Sequence, residues 1–161
     1  MYVPFENLPS ESKIWIYQSN RKFSDDEIAE IETALQAFFE NWAAHGTSLE
    51  SSYQLKYNRF IIIAVNQEVQ AATGCSIDSS VRFVKELEAK MSLDLMNKLN
   101  ISFKDGENIN IVSLAEFQDY AKENKITSET IVFNNMVQTK EELLTKWEVP
   151  AKESWHQRFL N

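Results

Sequence analysis

An α+β fold, an antiparallel sheet with helices packed on one face, is the class this sequence predicts, and three observations carry it. Lys13 to Gln18 sets Ile14 and Ile16 on one side and Trp15 and Tyr17 on the other, as a strand covered on both faces does. Phe60-Ile-Ile-Ile-Ala-Val65 is a continuous apolar run of strand length. Ile28, Ile31, Leu35, Phe38, Phe39 and Trp42 recur at helical spacing, and so do Val81, Val84 and Leu87.

Ser24-Asp25-Asp26-Glu27 is a capping-box pattern whose acidic first turn complements the helix dipole. It predicts a helix from Ser24 to about Ala44, stopped by Gly46. Tyr53, Leu55 and Tyr57 alternate with Gln54 and Lys56 as a half-buried strand, and a turn at Asn58-Arg59 leads it antiparallel into Phe60–Val65. Gly74-Cys75-Ser76-Ile77-Asp78-Ser79-Ser80 reads as a loop and a helix start, with the helical stripe beginning near Val81. Met91, Leu95, Met96 and Leu99 continue that stripe, with Ser92 either inside one long helix or capping a second short one. The order strand, helix, strand, strand, helix is a ferredoxin-like start, β-α-β-β-α, with Ile101 to Lys104 as candidate final strand.

The last third changes character. Ile101 to Lys104, the turn Asp105-Gly106 and Asn108 to Val112 predict a hairpin, and Ser113 with Glu116 forms another capping box for a short helix. Ile131-Val-Phe133 follows as a strand, and Thr139 to Trp147 as a last helix ended by Pro150. Residues 101–147 are similar to small GYF-like modules, without the Gly-Tyr-Phe signature or the aromatic set that grips proline-rich peptides. The resemblance implies a fold and no binding residues. The expected organisation is an α+β core over residues 1–100 and a GYF-like module with a C-terminal tail over 101–161, packed as one unit, since no Gly/Pro/Ser-rich linker separates them.

A net charge of −8 leaves no excess of Lys and Arg for phosphate backbones, so nucleic acid is not an expected partner. The N-terminus lacks the basic flank and apolar run of a secretory signal, and no apolar stretch is long enough for a bilayer. A single cysteine makes no internal disulfide. The expectation is a cytoplasmic protein without membrane insertion.

The candidate chemistry centres on Gly74 to Ser80. Cys75 lies close to a helix N-terminus, where free N–H groups and the dipole stabilise a thiolate, and His45 as base with Asp78 as partner completes a possible catalytic set. Cys75 and Arg82 are separated by six residues, whereas cysteine-dependent phosphatases use five, so anion binding by Ser76, Ser80 and Arg82 at the helix start is the surviving form of that comparison. The simpler reading is that Ser76 or Asp78 caps the helix.

All four arginines have a phenylalanine within two positions: Arg21 by Phe23, Arg59 by Phe60, Arg82 by Phe83 and Arg158 by Phe159. They are candidate ligand-binding residues held at the core edge, or else structural partners of Asp and Glu. His156, like His45, lies close to a tryptophan and is a further candidate pocket residue. Two histidines and one cysteine lack zinc-ligand spacing, and no metal or cofactor is expected. Gly46, Gly74 and Gly106 are too far apart for a Walker loop or a dinucleotide fingerprint.

Trp42-Ala-Ala-His-Gly46, Gly74-Cys-Ser-Ile-Asp78 with Ser80-Val-Arg-Phe83, Thr130-Ile-Val-Phe-Asn-Asn135 and Ser154-Trp-His-Gln-Arg-Phe159 together resemble a family of small uncharacterised bacterial proteins. Some members carry the label of an ABC transporter ATPase, which the missing Walker loop speaks against here. The resemblance implies no activity, substrate or site. The leading expectation is a non-catalytic domain that binds a small anionic ligand or a protein partner near Cys75. A thiol-dependent enzyme and a structural, oligomeric subunit are the alternatives.

Overall fold

The computed structural model describes all 161 residues and divides into two compact units: Met1–Met96 with Gln138–Glu141, and Asn97–Val137 with Glu142–Asn161. The fold is α+β, with antiparallel sheets in both units.

The first unit contains β1 (Lys13–Gln18), α1 (Asp25–Asn41), β2 (Ala43–Ala44), β3 (Thr47–Ser48), β4 (Ser51–Lys56), β5 (Phe60–Val65) and α2 (Gly74–Met91). β5 lies between β1 and β4 and is antiparallel to both, with Ile63 opposite Trp15 on one side and Tyr53 on the other. All six β5 residues are fully buried, which is why their sequence shows no polar alternation. Ile31, Leu35 and Phe39 of α1 and Val84, Leu87 and Met91 of α2 join Tyr17, Ile61, Ile63 and Val65 in one core. Each such side chain contributes about 1.5–3 kcal/mol on leaving water.

The order β1-β5-β4 is that of the expected split β-α-β-β-α unit. The expected final strand is not. Residues Asn100–Asp105 pair instead with Asn108–Ser113 across the Gly106 turn, because a local hairpin closes a far shorter loop than a return to β1. The outer edge of β1 receives a later segment: the Ile14 N–H donates to the Gln138 carbonyl at 3.0 Å, and Lys13 bridges Thr139 antiparallel. Lys140 fixes that segment by donating from Nζ to the carbonyls of Phe5 at 3.0 Å and Leu8 at 2.7 Å. A bare sheet edge is thereby shortened.

Two helix boundaries differ from expectation. α1 stops at Asn41, and His45 (φ 52°) with Gly46 (φ 76°) turns the small β2–β3 hairpin instead of ending a helix. Two successive left-handed residues make the primed turn that matches strand twist. α2 begins at Gly74, seven residues before Val81, because Thr73 caps it: Thr73 Oγ1 accepts from the Ser76 N–H at 3.2 Å and Ser76 Oγ from the Thr73 N–H at 2.7 Å. Ser92, left-handed at φ 53°, closes α2 at Met91, so neither a longer nor a second helix forms.

The second unit contains β6 (Asn100–Asp105), β7 (Asn108–Ser113), α3 (Leu114–Lys122), β8 (Ile131–Phe133), most of α4 (Lys140–Lys146) and β9 (Glu148–Pro150), its sheet ordered β7-β6-β8-β9. The Ser113–Glu116 capping box forms as expected. Pro150 does not end α4; it closes β9, opposite Ile131, where an edge strand tolerates a residue without an N–H. Phe103, Phe117, Ile126 and Val132 anchor the core, and Trp155, Phe159 and Leu160 of the C-terminal segment pack against it. No helix is long and apolar enough to cross a membrane.

Candidate functional site

Trp42, the residue after α1, ties the ends of two helices together. Its indole Nε1–H donates to the Ser76 carbonyl at 2.8 Å in a buried setting, and its ring meets Phe38, Phe39 and Trp15 with centroids 5.3, 5.9 and 6.5 Å away. Phe38 in turn stacks on Phe83 at 4.7 Å. Beside this aromatic group lies a shallow cleft of about 340 Å³, lined by Ala37, Phe38, Asn41, Trp42, Ala43 and Ser79. The last turn of α1, strand β2 and the second turn of α2 therefore share one surface depression.

The expected site residues distribute unequally around it. Cys75 is exposed on the first turn of α2, and Ser79 one turn later donates its hydroxyl to the Cys75 carbonyl at 3.1 Å. Asp78 is exposed on the same helix, and His45 is exposed at the tip of the hairpin whose Ala43 lines the cleft. Neither His45 nor Asp78 hydrogen-bonds the thiol.

Ser76 and Ser80 are buried, and their hydroxyls serve the helix. Ser76 completes the cap, while Ser80 Oγ donates to the Ile77 carbonyl at 2.6 Å. Burial raises the Tyr17 pKa, and the Ser80 hydroxyl partly offsets it. The cap is thus neither Ser76 alone nor Asp78, but Thr73 with Ser76 reciprocating; the Thr-x-x-Ser spacing is the signal, obscured because position N3 usually carries Glu or Gln.

The arginines do not gather here. Arg82 is exposed on α2, off the buried stripe. Arg21 forms a two-pronged pair with Glu27, 2.8 Å for each bond, and donates to the Met91 carbonyl at 2.9 Å, which ties the β1–α1 loop to the far end of α2. The guanidinium, followed by the Ser24 N–H, lowers the Glu27 pKa to about 2. Arg59 sits in the β4–β5 turn, and burial lowers its pKa. Arg158, in the second unit, is exposed with its guanidinium 5.9 Å from the Phe159 ring centre.

Because the Glu27 pKa is depressed, the pair's stabilisation is complete above the unfolded carboxylate range and is lost as pH falls toward 2. The pair is partly exposed and screened by salt, so Arg21→Met should lower stability only slightly at neutral pH. Urea unfolding of wild type and variant should then converge between pH 4.5 and 2. A gap that persists at pH 2 would place the effect in packing.

His156, in the second unit, is fully buried. Its Nδ1 meets Ser154 Oγ, its ring stacks on Trp155 at 3.9 Å, and its Nε2 has no hydrogen-bond partner. Burial lowers its pKa to about 4. Here it is a neutral core group.

No group of His, Cys, Asp and Glu is arranged to hold a metal ion. No family model matches the chain, and neither a curated protein nor a solved structure matches it.

Proposed function

We propose that this protein is a non-catalytic binding protein whose first unit takes a segment of a partner protein in the cleft between α1, β2 and α2. The carrying observation is the character of that cleft: Phe38 and Trp42 supply apolar faces, Asn41 and Ser79 supply polar rims, and the Ser76 and Ser80 hydroxyls beside it are committed to internal bonds. Such a surface suits an apolar side chain with flanking polar contacts. The expected partner segment is basic as well as apolar. α1 carries Asp25, Asp26, Glu27, Glu30, Glu32 and Glu40 and no Lys or Arg, and its last turn lines the cleft.

Titrating the ¹⁵N-labelled full chain with short peptides that pair a leucine or phenylalanine with lysines tests this reading. Shifts should concentrate on Phe38, Trp42 and Ser79, and Ala37→Trp, which fills the cleft from an exposed helical position, should weaken binding about tenfold or more. Unchanged affinity in that variant, or shifts elsewhere only, refutes it.

The exposed Cys75 thiol favours one second reading, a thiol-dependent enzyme. That reading requires alkylation of Cys75 to be fast below the ordinary thiol range, and a rate that rises only within that range removes it.

A further inference from the structure

The end of the first unit where β1 leaves the sheet brings two loops together. The Ser19 N–H donates to the Arg59 carbonyl and the Phe23 N–H to the Asn58 carbonyl, both at 2.7 Å, so Ser19–Phe23 and Tyr57–Arg59 are joined backbone to backbone. Between Gln18 and Phe23 and between Lys56 and Phe60 stand Arg21, Lys22, Lys56 and Arg59, without one Asp or Glu, in a chain whose net charge is −8. Arg21 is neutralised by Glu27. Lys22 and Lys56 are exposed and make no ion pair. Asp94 adjoins this loop through its backbone, its N–H donating to Asn20 Oδ1 at 2.9 Å, and forms no ion pair with Arg59.

Arg59 is the unusual member. Its Nε is buried and has no hydrogen-bond partner, and the guanidinium is partly buried without a carboxylate. Burial alone accounts for its lowered pKa; no neighbouring charge contributes. A buried donor on a charged group is costly to leave unpaired, and a guanidinium is best satisfied by two parallel bonds to one oxyanion. The sheet end thus holds a half-buried guanidinium with an unpaired Nε–H, and two exposed lysines on the same pair of loops.

We propose that the paired loops bind a phosphate group, Arg59 donating through its outward Nη–H groups while Lys22 and Lys56, on the same two loops, supply the remaining charge. Three cations outside ion pairs match a phosphate dianion better than a single carboxylate. Either the phosphate ion or an organic phosphate monoester carries the required oxygens.

The test follows the arginine side-chain Nε–H signals of the ¹⁵N-labelled full chain at low ionic strength, titrated separately with inorganic phosphate and with phenyl phosphate. The Arg59 Nε–H should shift saturably with at least one of them. Equal affinity identifies the ion as sufficient, and tighter phenyl phosphate binding identifies a phosphorylated small molecule. Arg59→Met, which keeps the stem, should weaken binding about tenfold or more, and the surface double variant Lys22→Gln with Lys56→Gln several-fold. The double variant keeps the test available if Arg59→Met does not fold. An Arg59 Nε–H unmoved by both probes, or binding that survives both variants unchanged, overturns the proposal.

Discussion

Replacing Trp42 with alanine is expected to destabilise the first unit by about 3–5 kcal/mol, the cost of emptying a buried aromatic site. Three losses combine in this variant. The indole is 3% exposed, so its apolar surface is almost wholly withdrawn from water. It contacts three other rings, each pair contributing about 0.5–1.5 kcal/mol beyond area. It also donates to Ser76, joining the end of α1 to the first turn of α2. Trp42→Phe keeps most ring contact and loses the bond, so about 1 kcal/mol or somewhat more is expected. Calorimetry should show the alanine variant's first-unit transition lowered by roughly 15 °C or more, at 4–8 °C per kcal/mol for a unit of this size. A shift of only a few degrees would mean that the aromatic group repacks without its centre.

His156→Phe should remove an acid-dependent loss of stability that wild type shows in the second unit. The neutral imidazole is buried, so its folded pKa is about 4, against about 6.5 for an unfolded histidine. The pKa is depressed by folding; below 6.5 the unfolded chain takes up a proton that the folded chain refuses, so stability falls with pH until 4 and then levels. Two and a half units correspond to about 3 kcal/mol. Carboxylates titrate over part of the same range, which is why the difference between wild type and variant is the useful quantity. It should be constant above pH 7 and move by about 3 kcal/mol in the variant's favour between pH 6.5 and 4. A constant difference throughout would mean that the ring is hydrated before the unit unfolds.

Legibility in the sequence followed the range of the interaction that decides each feature. Periodicity and capping boxes act within a few residues, so β1, β4, β5, the start of α1 and the Ser113 cap were all readable. The α2 cap lies three residues before the nearer expected one, Ser76, because Ser76 at the third helical position reciprocates Thr73 as Glu normally would. Gly46 reads as a stop because a lone glycine after a helical stripe is the usual C-terminal signal, and the second left-handed residue of the turn, His45, has no glycine to mark it. The final strand was misplaced because the segment that meets β1 is only Gln138 to Thr139, too short for any period.

The site was readable to a lesser degree. Cys75 and Arg59 stand out by residue type, but exposure of the first and the unpaired Nε of the second depend on neighbours distant in sequence. Arg21 gives the reverse lesson: Glu27, six residues on, already occupies it. The sequence offers Trp42 both as a core residue and as a ring for a pocket, and which residues share that cleft with it appears only when α2 is laid beside it.

The return of Gln138–Glu141 to the first unit bears on how the chain is made. A ribosome releases residues 1–96 long before Lys140, and until then the carbonyls of Phe5 and Leu8 lack their ammonium and Ile14 its backbone acceptor. The first unit can collapse early but is completed late, after most of the second has emerged. Neither a cut after Met96 nor a fusion there would yield a finished first unit.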